Sequence, residues 1–183
     1  MRYIIEHLEK KVYPWCFIEY EHISKIVGKE RVIFTNSGDT RLKKFGNVIK
    51  QSVATLDLKK ACVLDPKAEK TLEPGERFEY FIFGGILGDY PRRGRTTKLL
   101  SKKLKDAVLR NLGKKQMSTD TAVLVTKLIS EGKRLEEITF KDDLEIELKN
   151  GRIRESTILP YRYVVLKGKP IVSKKLVNYL KKK

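Results

Sequence analysis

Two polar breaks, each following an apolar run, carry the residue types best suited to holding a small ligand. Between Phe81 and Thr96 the chain reads FIFGGILGDYPRRGRT, where an aromatic and aliphatic run gives way to Gly84, Gly85 and Gly88 and then to Pro91, Arg92, Arg93 and Arg95. From Leu112 it reads LGKKQMSTDTAV, a second break rich in hydroxyls. Glycine has no Cβ, so backbone there can come close to a ligand or adopt φ > 0. The arginines add fixed charge and forked donors suited to phosphate. The spacing is neither the G-x-G-x-x-G of dinucleotide folds nor the G-x-x-x-x-G-K-[ST] of phosphate loops, which removes the main warrant for a nicotinamide or a nucleoside triphosphate. Each break also has a plainer meaning: glycine for strand-to-helix packing, and Ser118 to Thr121 as helix caps.

Such loops need strands and helices to hold them. Short apolar runs alternate with amphipathic ones, which predicts an α/β layer architecture. Strands are expected over residues 3–6, 31–35, 61–64 and 78–83, and a helix over 20–27 closed by Gly28. Residues 36–40 are turn-rich and 41–57 are weakly patterned. The clearest helical period runs over 97–110, with Leu100, Leu104, Ala107 and Val108 on one face and Lys98, Lys102 and Lys105 on another. Ser118 or Thr119 can cap a further helix that runs through Ile129 and stops at Gly132, with Val125, Leu128 and Ile129 inward. Beyond Ile138 short strands are expected at 144–148 and 161–166, with a tight turn at Asn150-Gly151 and another at Gly168. Ser173 then opens a last helix bearing Leu176, Val177 and Leu180 on one side. Residues 1–135 read as the core and 136–183 as C-terminal strands and helix, packed on or part of the same domain.

Composition narrows the class. Hydrophobic residues make up 40% and charged residues 34% of 183, with no low-complexity tract, so the chain has a packed core. No apolar run approaches the ~18 residues of a membrane span, and no signal pattern opens the chain. Cys16 and Cys62 stand far apart, which fits a reducing cytoplasm rather than a disulfide framework or a zinc site. His7 and His22 read as structural or surface histidines, and no metal is expected. The formal charge is +17, and between Arg92 and Lys115 ten basic residues face one acid, Asp106. Lys181, Lys182 and Lys183 close the chain. A field of that sign attracts polyanions such as RNA or a ribosome, although lysine-rich surfaces also serve solubility and heat tolerance.

Several motifs occur together and in order: IIEH at the start, LDP at Leu64 to Pro66, FGGILGD-x-P-x-R-x-RT, LG-x-KQM-[ST]-TDTAV and LPYRYV. In this combination the chain resembles the SPOUT class of knotted methyltransferases, in the branch of fungal ribosomal-protein arginine methyltransferases. The resemblance runs from Tyr3 to Ile171 and is weakest over 36–58 and at the chain end. It implies a mostly parallel sheet flanked by helices, a C-terminal half threaded into a trefoil knot, and a short hairpin-and-helix appendage. It also implies S-adenosylmethionine as cofactor. Leu64, Asp65, Pro66, Gly84, Gly85 and Gly88 would flank its methionine portion. Leu112, Gly113, Gln116, Met117, Ser118 and Thr119 would wrap the adenine and ribose, which agrees with an apolar sandwich by Leu112 and Met117. Most enzymes of the class are dimers and this branch suggests a monomer; the sequence leaves the two open.

Methyl transfer from a sulfonium is an in-line displacement, so positioning dominates. If the acceptor is an arginine, its protonated guanidinium needs carboxylates to orient it and to receive a proton. Asp89, Glu19 in the W-x-x-x-E-Y segment that begins at Trp15, and Glu6 are the candidates, and each has a structural alternative. Trp15, Arg92, Arg93 and Arg95 fall on the acceptor side, where the arginines would hold phosphate if the acceptor is a nucleotide; Arg95 can equally pair with Asp89. Three readings therefore stand: a protein arginine methyltransferase acting on a ribosomal protein, an RNA methyltransferase on the same fold, and a basic RNA- or ribosome-binding protein without activity. An acidic cleft mouth favours the first, and an all-basic one the second.

Overall fold

The first strand explains the sheet. Tyr3, Ile4 and Ile5 are all fully buried, because Tyr3 and Ile5 face one layer and Ile4 the other. A strand apolar on both faces belongs in the middle of a parallel sheet covered on both sides. The computed structural model describes residues 1–88, 94–150 and 154–182 and shows that sheet. Strands β1 (Arg2–His7), β2 (Val32–Thr35), β3 (Asn47–Val48), β4 (Ala61–Leu64), β5 (Tyr80–Gly85) and β6 (Val108–Arg110) lie in the order β3-β2-β1-β5-β4-β6, every pair parallel. Cys62, Leu64, Phe81 and Phe83 join Tyr3 and Ile5 beneath α1 (Pro14–Val27) and α3 (Thr119–Ser130), between which α2 (Arg95–Leu99) and β6 intervene in sequence. On the opposite face Ile33, Val63 and Ile82 pack with Ile4, Val53 and Leu100.

The C-terminal part is a separate antiparallel layer. β7 (Phe140–Asn150) and β8 (Arg154–Leu166) form a long hairpin, β9 (Lys169–Pro170) adds to β8, and α4 (Lys174–Lys181) follows. Leu176 of α4 is buried with Ile146, Leu159 and Tyr163 of the hairpin, and Trp15 and Ile18 of α1 pack against the same cluster. The hairpin turn expected at Asn150-Gly151 extends beyond the described residues. No helix among the described residues is long and apolar enough to cross a membrane.

Three of the departures from expectation have clear physical causes. α1 begins at Pro14 rather than near residue 20: proline suits the first helical position, and the apolar Trp15 and Ile18 are covered by a hairpin more than a hundred residues away in sequence. β8 starts well before residue 161 for the same reason, since its first half depends on pairing with β7 and on the cluster that joins Leu159 to Leu176. The helix expected over 97–110 ends after Arg95–Leu99, passes through a 3-10 turn at Ser101–Lys103, and gives way to β6. Thr97 and Ser101 spend their hydroxyls on Asp65, and Leu100, Leu104 and Ala107 face the second core layer without continuing a helix. The chain is then drawn to the sheet edge, where Val108 pairs with Cys62 and Leu109 with Val63. Strand pairing outweighs a helical propensity worth only tenths of a kcal/mol per residue.

Leu100 is the anchor of that segment, at 1% exposure. Leu100→Ala is expected to lower unfolding stability by about 3 kcal/mol, measured by chemical denaturation.

Candidate active site

Parallel strands deliver their carboxyl ends, and the loops that follow, to one side of the sheet. There the loops leaving β4 and β5, the approach to α3 and the first turns of α1 enclose a cleft of about 470 Å³, within the range of small-molecule sites. Leu64, Asp65 and Pro66 line it after β4, Gly84 and Gly88 line it around the end of β5, and Gln116, Met117, Ser118 and Thr119 line it ahead of α3. Trp15, Glu19 and Arg95 also face it. Tyr161 from β8 and Tyr179 from α4 complete the wall.

Four expected residues are not among those lining the cleft. Glu6, 2% exposed, is a structural carboxylate: Thr35 Oγ1 and the Val53 N–H donate to its Oε2 at 2.5 and 2.9 Å, and Ser52 Oγ donates to its Oε1 at 2.5 Å. It ties β1 to β2 and to the turn at Val53–Thr55. Gly85 sits on the face of β5 opposite to Gly84, as the pleat requires. A Cβ there would overlap the Tyr20 hydroxyl and lie 3.0 Å from Ile5 Cγ2, so the missing side chain admits α1 to the sheet. Leu112 is buried in the core layer beneath α1 and α3. Gly113 supplies a turn at φ +91°, its N–H donated to Asn111 Oδ1 at 2.9 Å. Asp89, Arg92 and Arg93 lie outside the described residues.

Within the cleft the charged groups are mostly engaged. Asp65 accepts from the Lys67 N–H at 2.9 Å, Thr97 Oγ1 at 2.9 Å and Ser101 Oγ at 2.6 Å, which fastens the segment before β6 over the β4 loop. Arg95 pairs with Glu9 at 3.0 Å and donates to the Leu87 carbonyl at 3.3 Å, while the Leu87 N–H donates to Glu9 at 3.0 Å. Arg95 thus braces the loop after β5 from inside. Glu19 is different. It is buried, and Trp15 Nε1 donates to its Oε1 at 2.8 Å. Burial pushes its carboxyl up to about 8, the charge of Asp120 adds to the rise, and donors from Trp15 and Thr119 offset part of it. A carboxyl displaced towards neutrality in a cleft is a mark of acid–base function.

Tyr161, Tyr179 and the pair His22–Asp120 were not singled out as site residues from the sequence. Tyr161 lies inside the LPYRYV motif, which was the available signal; its hydroxyl donates to the Gly88 carbonyl at 3.2 Å, and a Cβ on Gly88 would overlap its ring. His22 reaches Asp120 at 2.6 Å across the contact between α1 and α3, the structural one of the two roles the sequence suggests for it, and Asp120 thereby does more than cap α3.

The cleft lies at the loop ends of a six-stranded parallel sheet and is closed by a helix that enters through a hydroxyl-rich loop, the α/β arrangement expected for the methyltransferase class that the sequence resembles. A Trm10 structure from Thermococcus kodakaraensis, 16% identical, shares this fold at a TM-score of 0.55, over 75% of this chain and 96% of that one. The chain belongs to the SFM1-like protein arginine N-methyltransferase family, whose model matches residues 2–183. It is 37% identical to protein arginine N-methyltransferase SFM1 of Saccharomyces cerevisiae, over all of this chain and 95% of that protein. The yeast arginine methyltransferase SFM1 complexed with SAM superposes at a TM-score of 0.88 with 36% identity, over 99% of this chain and 90% of that one. The complex with SAH gives 0.87 and 34%, over 98% and 94%.

Gly85→Val separates packing from ligand contact. It is expected to cost about 1–3 kcal/mol through overpacking and to leave the affinity of the folded fraction for S-adenosylhomocysteine within about threefold, by calorimetry.

Proposed function

We propose that this chain transfers a methyl group from S-adenosylmethionine to an arginine of a ribosomal protein. The observation that carries the reading is Glu19: a buried carboxylate in the wall of the cleft, beside Trp15 and with Tyr161 and Tyr179 lining the same space. A guanidinium is planar and cationic; aromatic faces attract it and a carboxylate pairs with it in a fixed plane. The remaining wall suits the cofactor: Met117, Leu87 and Phe83 are apolar, Gln116 and Ser118 are polar, and Gly84 exposes backbone. S-adenosylmethionine supplies an electrophilic methyl group on a sulfonium. The yeast SFM1 structures with SAM and SAH support the same ligand here.

The protein's task is alignment and charge removal. Glu19 orients the guanidinium, and Trp15 holds the Glu19 carboxylate. Ionised Glu19 takes the N–H proton that the acceptor nitrogen gives up on methylation. Asp65 and Arg95 keep the β4 and β5 loops in register with the cleft. The same family membership supports threading of the C-terminal half, with the entry to α3 brought beside the loops of β4 and β5.

The partner reading rests on charge. Lys98, Lys102, Lys103, Lys105, Lys114 and Lys115 follow one another along the segment that leads into and out of edge strand β6. A ribosomal protein is met beside rRNA, so a basic flank raises the encounter rate without touching the acceptor. The same observation favours RNA methylation as the second reading. A cytoplasmic site of action follows from either substrate.

Radiolabelled methyl transfer into separated protein and RNA fractions of ribosomes from cells lacking the enzyme distinguishes them. Label in one protein band, released as methylarginine, is expected; label in RNA would reassign the acceptor. Glu19→Gln is expected to reduce protein methylation by about 10²- to 10⁴-fold with S-adenosylhomocysteine affinity nearly unchanged.

A further inference from the structure

The pair formed by half-buried His22 and buried Asp120 stands outside the residues that line the cleft, yet it adjoins Glu19, whose protonation is displaced. Glu19 and His22 stand one turn apart on α1 and so share a face. Thr119 and Asp120 open α3. The two helices pack against each other in the core, and across that contact His22 Nδ1 meets Asp120 Oδ2 at 2.6 Å. A carboxylate only accepts, so the imidazole donates its Nδ1–H. Ser118 Oγ and the Thr121 N–H donate to the other oxygen, Asp120 Oδ1, at 2.6 and 2.9 Å. Asp120 is 3% exposed and held on both oxygens, far more firmly than a helix cap requires.

We propose that Asp120, fixed by His22, is a positioning residue that sets the charge on Glu19 and thereby the pH range over which Glu19 can receive the proton of the acceptor arginine. The inference rests on the reading of Glu19 given above. Among the described residues, the titratable groups around Glu19 are Cys16, Tyr20 and His22 on its own helix, Asp120 from α3, Tyr161 and Tyr163 from β8, and Tyr179 from α4. Asp65, Lys67 and Arg95 stand elsewhere on the cleft wall. Burial pushes the Cys16 thiol up to about 11 and the Tyr20 and Tyr163 hydroxyls well above their usual range, so these three stay neutral near pH 7. Asp120 is the charge that acts on Glu19, and it acts to keep the proton on. A like charge in a buried site does this without touching the substrate. The consequence is a base that releases its proton readily only when the solution is neutral or alkaline.

Trp15 gives a direct readout. It is the single tryptophan of the chain, and its indole N–H is bonded to Glu19, so its emission reports the Glu19 charge without substrate present. The expected titration of wild type has a midpoint near 8, and Glu19→Gln abolishes it. Asp120→Asn keeps the shape of the side chain and an acceptor for Ser118 and Thr121. It is expected to lower the midpoint by about 1 pH unit and to move the acid limb of kcat/KM down by the same amount, extending activity to lower pH. If the amide variant does not fold, Asp120→Ser removes the charge equally and is read the same way. A transition that vanishes in Glu19→Gln but does not move in the Asp120 variants overturns the coupling and leaves the Glu19 assignment standing. A transition that persists in Glu19→Gln overturns both. A shifted transition with no methyl transfer to any ribosomal protein supports the coupling and refutes the function.

Discussion

Asp65 is the point at which sheet, segment and cleft are joined. It stands where β4 ends, 1% exposed, and its two oxygens take three donors, from Lys67, Thr97 and Ser101. Its own N–H donates to the Arg110 carbonyl at 2.9 Å. One residue therefore fixes the loop after β4, stops the helix that begins at Arg95, and aligns the edge strand β6. A buried carboxylate deprived of even one of these donors loses a charge-assisted hydrogen bond worth about 1.5–3 kcal/mol, so the arrangement is close to all-or-none. The segment beyond β6 then has a single place to go, back across the strand ends as the loop that enters α3. The cleft is what those three loops leave between them.

Electrostatics at this cleft are local. A chain with a formal charge of +17 repels an arginine-rich substrate at long range, but over more than a Debye length, about 8 Å at physiological salt, that repulsion is largely screened. Inside a partly closed, aromatic-lined wall the nearest carboxylate decides. Glu19 is that carboxylate, steadied by Trp15 on its own helix. In the proposed function the basic flank and the acidic centre are compatible because they would act over different distances: one on the approach of a polyanionic particle, the other on a single guanidinium.

Much of this was legible in the chain. Strand positions followed from runs such as Tyr3-Ile4-Ile5, because a parallel sheet buried on both faces leaves uninterrupted apolar residues. The breaks at Gly84 and at Gln116 to Thr119 followed from residue type, and the loop at Leu64 to Pro66 from the resemblance carried by the ordered motifs. Other features depended on partners distant in sequence. Gly84 and Gly85 look alike in sequence and differ only by the side of β5 on which each lies. Glu6 is chemically a fair base, but Thr35, Ser52 and Val53 claim it. Leu100, Leu104 and Ala107 have helical spacing because they all face one apolar layer, and Thr97 and Ser101 were needed to show that the segment follows Asp65 instead. Tyr161 and Tyr179 enter the cleft only after the C-terminal hairpin and helix have packed on α1.

The central claim is that Glu19 receives the acceptor guanidinium between aromatic side chains. A crystal structure of the chain with S-adenosylhomocysteine and an arginine-containing peptide of the proposed ribosomal substrate tests it most directly. The account predicts the guanidinium paired with the Glu19 carboxylate at hydrogen-bond distance, beside Trp15 and Tyr161, with one nitrogen directed at the cofactor sulfur. A guanidinium seated away from Glu19, or a cofactor outside the cleft lined by Leu64, Gly84 and Met117, would contradict it.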